Sequence, residues 1–126
     1  MKEPAIGLLD LIRISRGILV CDAITKKAPV RILQSTPVCP GKYVILFTGD
    51  EASVEESMIE GIKISGEALV DSLFLPNVHK QISPAISGTT KVDRIDSIGI
   101  LESFSIASAV VAADIAVKEA AVELIE

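Results

Sequence analysis

The sequence predicts an α+β domain in the order β-α-β-β-α-β, an antiparallel sheet with both helices on one face, followed by the β-α-β opening of a second such unit. Three observations predict it. Apolar runs alternate between strand-like and helix-like spacing, Pro and Gly fall between those runs, and the opening third of the unit recurs farther along the chain.

The recurrence changes what the length means. Of 126 residues, Ala5-Ile6-Gly7-Leu8-Leu9-Asp10 lies on Ser97-Ile98-Gly99-Ile100-Leu101-Glu102 after a shift of 92 positions, and the match runs without a gap to Gln34 over Glu126. Ile14 meets Ile106, Asp22 meets Asp114, Lys26 meets Lys118, Ala28 meets Ala120 and Val30 meets Val122. A whole strand-helix-strand pattern kept in phase marks a tandem repeat of roughly twice 92 residues. One unit is expected over residues 1–93 and the opening of a second over 94–126.

Ala5 to Arg13 is a short apolar run before a Ser-Arg-Gly break and reads as a strand. From Ser15 to Ala28, Ile14, Ile18, Cys21, Ile24 and Ala28 recur at three- and four-residue steps, which predicts an amphipathic helix stopped near Pro29. Val30 to Leu33 reads as a second strand, Ser35 to Gly41 as a loop, and Lys42 to Thr48 as a third strand. Pro37, Pro40 and Gly41 are expected to prevent ladder pairing through that loop. Asp50 is placed to cap the next helix, whose early Glu51, Glu55 and Glu56 suit the positive end of its dipole. Val54, Met58, Gly61, Ile62 and Ser65 form its expected inward stripe, Gly66 ends it, and Leu69 to Leu75 makes a fourth strand. Lys80 to Asp96 reads as a short helix or turn and then a connector.

Composition narrows the function. Apolar residues make up 49%, charged residues 23%, and the net charge is −5, so the chain is neither a disordered tail nor a basic binder of nucleic acid. Aromatics are only 3%, which leaves few platforms for stacking bases or sugars. Ser103 to Ala113, the longest uncharged apolar stretch, is too short for a membrane span, and Met1-Lys2-Glu3-Pro4 lacks a signal-peptide pattern. A cytoplasmic protein with no membrane or nucleic-acid partner is expected. Two cysteines in such a chain point to thiols or metal ligands rather than a disulfide framework.

Taken together, Ala5-Ile-Gly-Leu-Leu-Asp10, Asp22-Ala-Ile-Thr-Lys26-Lys-Ala28, Gly49-Asp50, Gly66-Glu67 and Leu75-Pro-Asn-Val-His79 resemble the bacterial microcompartment (BMC) shell-protein domain. The resemblance covers about the first 90 residues and returns from Ser97. It implies the BMC-domain fold, a ferredoxin-like variant of the order above, and a non-enzymatic structural role in a compartment shell. Tandem members of this family form homotrimers that mimic flat hexagonal tiles and assemble with other BMC shell proteins around enzymes.

Within the tandem class, Cys39-Pro40-Gly41-Lys42 resembles the type found in propanediol-utilising compartments. That resemblance implies that Ser35, Thr36, Pro37, Val38, Cys39, Pro40 and Gly41 line a central pore and that Cys39 ligates a [4Fe–4S] cluster shared by three chains. Such a centre implies electron relay or cluster transfer across the shell, with encapsulated redox enzymes as partners. The chemistry is compatible, because a cluster needs three or four converging thiolates and a three-fold ring gathers three copies of one loop residue. Pro37 and Pro40 stiffen the loop, and Gly41 permits close backbone approach.

The resemblance also implies tile-edge contacts at Lys26, Asn77, His79 and Lys118. Each lysine follows an aspartate by four residues, the spacing of an ordinary helix-surface pair, and many single-domain members carry an arginine where Asn77 and Val78 stand. Cys21 sits on the helical stripe with Ala113 as its repeat partner and reads as a small buried spacer. His79 has neither a second histidine at ligand spacing nor an evident triad. Two alternatives stay open. One is a metal-free gated pore of the same fold; the other is a ferredoxin-like sensor or thiol enzyme using Cys39, against which no base stands near that cysteine in sequence.

Overall fold

A computed structural model describes residues 4–126; Met1–Glu3, read above for targeting, lie outside the described residues. The chain divides into two compact units, Met1–Asn77 and Val78–Glu126.

In the first unit, β1 (Ala5–Leu11), β2 (Arg31–Val38), β3 (Lys42–Gly49) and β4 (Leu69–Leu75) form one antiparallel sheet in the order β2-β3-β1-β4. That is the order a β-α-β-β-α-β chain takes when each helix crosses over to a parallel strand one place removed, leaving an antiparallel strand between them. The central β1 is buried along its whole length, as its almost unbroken apolar sequence requires. Its residues Ala5, Leu9 and Leu11 join Tyr43, Ile45 and Phe47 of β3 in a core covered by α1 (Ile14–Lys27) and α2 (Glu51–Ser65).

Glycines set the phase of both helices. Gly17 of α1 lies against the ring of Tyr43, and a side chain there would collide with it, so Gly17, Val20 and Ile24 face inward. Ile14 and Ile18, expected on the buried stripe, therefore lie exposed one side-chain step around the helix. In α2 a Cβ on Gly61 would stand 2.5 Å from Leu9 Cδ1 and 2.9 Å from Ile24 Cγ2. Gly61 thus lets α1, α2 and β1 meet, and Ser57 Oγ donates to Ile24 O of α1 at 3.0 Å. Val54, Met58, Gly61 and Ser65 face inward as expected, whereas Ile62 is turned outward at 41% exposure because the stripe passes through Gly61 instead.

The ends of the helices follow local chemistry. Ala28 is extended (φ −149°, ψ 161°) because Pro29 disfavours the helical region for its predecessor. Asp50 caps α2, accepting the Ser53 N–H at 3.0 Å and the Ser53 hydroxyl at 2.6 Å. Gly66, at φ 53°, closes the helix with its N–H on Ile62 O and opens a short 3-10 turn, Gly66–Ala68.

One expectation is corrected in the sheet. Ser35–Val38 is not loop but the second half of β2, with Pro37 opposite Tyr43 and Val38 opposite Lys42. Pro37 is tolerated because β2 is an edge strand, where a missing N–H interrupts no second ladder.

The second unit holds α3 (Ile82–Ile86) and α4 (Ile106–Glu119). The boundaries of α4 are those of α1 displaced by the repeat interval at both ends. Neither flanking strand expected of the second repeat is formed among the described residues. Ile98, Ile100 and Leu101 are exposed, whereas their counterparts Ile6, Leu8 and Leu9 are buried. The reason is pairing: β1 lies between β3 and β4, and the sequence to Glu126 contains no copies of those neighbours to receive its twin.

Candidate functional site

The candidate site is the β2-β3 hairpin tip. Val38 and Lys42 form the last pair of the ladder, and Cys39, Pro40 and Gly41 make the turn between them. Gly41 takes φ 74°, a left-handed conformation that side chains strain to adopt, and the Cys39–Pro40 peptide is cis. Cys39 is exposed and free. Pro37 on one side and Pro40 on the other restrict the backbone around this thiol.

Two side-chain interactions tie the hairpin to the sheet. Ser35 Oγ lies 2.7 Å from Tyr43 Oη, a hydrogen bond across the two strands. Lys42 Nζ stands 2.7 Å from Oδ2 of Asp10, a carboxylate buried on β1. Neither Asp10 oxygen has a hydrogen bond of good geometry, so the lysine charge is its compensation. Asp10 and Tyr43 were not singled out from sequence. An acid inside the apolar run Ala5–Leu11 was the available signal for the former, and the acid Glu102 in its repeat position strengthened it.

The rest of the proposed pore segment is varied in environment. Ser35, Thr36 and Val38 are half-buried, while Pro37, Cys39, Pro40 and Gly41 are exposed. Thr36 Oγ1 points along its own strand toward Pro37 O at 3.3 Å. Cys21 is on α1, half-buried against the core, and does not join Cys39. Among the described residues no three of His, Cys, Asp and Glu are grouped to hold a metal ion. A cluster at Cys39 therefore has to draw its other ligands from outside the chain, and the soft, accessible thiol fits that kind of centre.

The residues expected at a tile edge are placed as follows. Lys26 Nζ pairs with Asp22 Oδ2 at 2.7 Å on an exposed face of α1. Lys118 Nζ pairs with Asp114 Oδ2 at 2.6 Å, but here the aspartate is buried and its Oδ1 accepts the backbone N–H of His79 at 2.8 Å. His79 Nδ1 in turn accepts the Gln81 N–H at 3.3 Å. Asn77, at φ 60°, turns the chain after β4 and Pro76. His79 and Lys118 thus meet at one carboxylate within the second unit, and Lys26 and Asn77 belong to the first.

A family model described as the BMC domain matches residues 5–78 and 97–126. The chain is 43% identical over 123 residues to the bacterial microcompartment shell protein PduT of Citrobacter freundii, a match covering 98% of this chain and 67% of that one. It is 27% identical over 94 residues to the carboxysome shell protein CsoS1C of Hydrogenovibrio crunogenus, covering 71% of this chain and 92% of the other. A crystal structure of a microcompartments protein from Desulfitobacterium hafniense superimposes with a TM-score of 0.90 at 45% identity, over 96% of this chain and 67% of that one.

Proposed function

The chain belongs to the BMC-domain family of microcompartment shell proteins, and from that premise we propose that it builds the shell as a homotrimer of PduT type whose three Cys39 thiols share one [4Fe–4S] cluster at a central pore. Its work in this reading is structural and electron-relaying rather than enzymatic. Its partners are other shell proteins on its rim and redox enzymes on the enclosed side.

The observation that carries this reading is the state of Cys39: an exposed free thiol at the tip of a proline-braced hairpin, in a chain whose described residues hold no metal group of their own. A rotation axis turns one such thiol into three. When bound, an iron–sulfur cluster of this kind supplies one-electron transfer. This chain's own residues supply position. The ladder pair Val38 and Lys42 closes the turn, Ser35 and Tyr43 hold the strands in register below it, and Asp10 fixes Lys42 at its base. No helix among the described residues is long and apolar enough to cross a membrane.

Anaerobic reconstitution with ferrous iron and sulfide tests the reading. Bound iron, bound sulfide and broad visible absorption are expected in the unaltered protein and in Cys21→Ala, and their loss in Cys39→Ser. Equal iron content in Cys39→Ser would overturn the ligand assignment.

A further inference from the structure

A single charged residue serves the whole cysteine hairpin. From Ile32 to Gly49 the sequence holds no Asp, Glu, Arg or His, and Lys42 is its only lysine. Lys42 stands three residues from Cys39 and opens β3, opposite Val38.

A lysine at the mouth of a turn ordinarily extends its ammonium into water. Here it is drawn back. Tyr43, Ile45 and Phe47 belong to the core, so strand alternation puts Lys42 on the other face of the sheet; Asp10, between the core residues Leu9 and Leu11, shares that face. Lys42 Nζ meets Asp10 Oδ2 at 2.7 Å, with 27% of the lysine side chain exposed and 1% of the aspartate.

Burying an ion pair is a weak source of stability, because desolvation offsets most of the attraction. Its effect on the local field is definite. Two fixed opposite charges leave the root of the hairpin without net charge, and salt screens a buried pair little. The next carboxylate, Asp71, faces Asp10 from β4, one strand farther from the hairpin. Around a three-fold axis any change to this pair is made three times.

We propose that Asp10 sets the reduction potential of the centre at Cys39 by neutralising Lys42. Gaining an electron makes such a centre more negative, so an uncompensated cation beside it favours the reduced form, and Asp10 withholds that cation. Asp10 is a positioning residue that acts through Lys42. The inference rests on the cluster part of the proposed function and names the residues that tune it.

The reconstituted full chain is titrated anaerobically with dithionite in the presence of redox dyes, and the one-electron midpoint is read from the cluster absorption. Asp10→Asn keeps the shape of the side chain and removes its charge; Lys42 is partly exposed, so its freed ammonium can turn toward water at the hairpin. A rise in midpoint is expected, and the same rise in Asp10→Ala, which loses the charge with a different shape. Adding Lys42→Met to Asp10→Asn is expected to return the midpoint to that of the unaltered protein, a rescue that a merely structural role would not give. Glu55→Gln removes an equal charge near the other end of β3, where Val54 stands against Gly49, and is expected to leave the midpoint unchanged. An unmoved midpoint in the Asp10 variants, or the same raised midpoint with and without Lys42→Met, would overturn the proposal. Failure of the unaltered chain to take up a cluster would overturn it together with the pore reading, whereas a loaded cluster with an unmoved midpoint overturns this inference alone.

Discussion

Lys42 Nζ and Asp10 Oδ2 stand 2.7 Å apart at the root of the cysteine hairpin, and Asp10 is only 1% exposed. The pair joins the central strand to the first residue after the turn. Asp71 lies directly opposite Asp10 in the β1-β4 register and adds a second negative charge nearby, although its Oδ1 accepts the N–H of Ser72. Lys42→Met strands a buried carboxylate and is expected to cost on the order of 3 kcal/mol, while Asp10→Leu with Lys42→Met returns to within about 1 kcal/mol of the unaltered protein. Urea unfolding of both variants checks this; a neutral Lys42→Met would show that the pair contributes nothing.

The cap of α2 gives a pH dependence of definite sign. Ser53 holds the Asp50 carboxyl below the ordinary value of 3.8, first through its hydroxyl and then through its N–H. A depressed native pKa contributes stability that is complete above the ordinary value and lost as the pH falls through the native one. Asp50→Asn keeps a cap without a titrating group. The stability gap between the two proteins, read from urea midpoints between pH 7 and pH 2, is therefore expected to be constant near neutrality and to close in acid. A gap that widens in acid would contradict this assignment.

Gly61→Ala sets two effects against each other. Alanine favours an α-helix by about 1 kcal/mol over glycine, whereas overpacking a filled core costs about 1–3 kcal/mol. The new methyl would press on Leu9 and Ile24, both fully buried with nowhere to move, so packing prevails. A net loss of up to about 2 kcal/mol is expected by thermal or urea unfolding. A stabilised variant would show that α1 and α2 separate more easily than their contact at Gly61 implies.

The succession of elements in the first unit and the span Leu69–Leu75 of β4 were legible in the sequence, because apolar runs and Gly or Pro breaks report local structure directly. The presence of α4 followed from the repeat. Helix phase was less legible. Gly17 and Gly61 mark the closest approaches of α1 and α2, but a glycine carries no apolar signal, so Ile14, Ile18 and Ile62 were drawn onto stripes they do not occupy. Pairing of Ser35–Val38 was hidden because the tolerance for Pro37 depends on β2 lying at a sheet edge, a property of topology. At the site, Cys39 stood out through family resemblance, while the Lys42–Asp10 pair beneath it joins positions 32 residues apart and has no local signature.

Anaerobic native mass spectrometry of the reconstituted protein tests the central claim most directly. The account expects one species of three chains carrying one four-iron cluster, with the cluster mass absent and the three-chain species retained in Cys39→Ser. Cluster mass on single chains, or on trimers lacking Cys39, would contradict it.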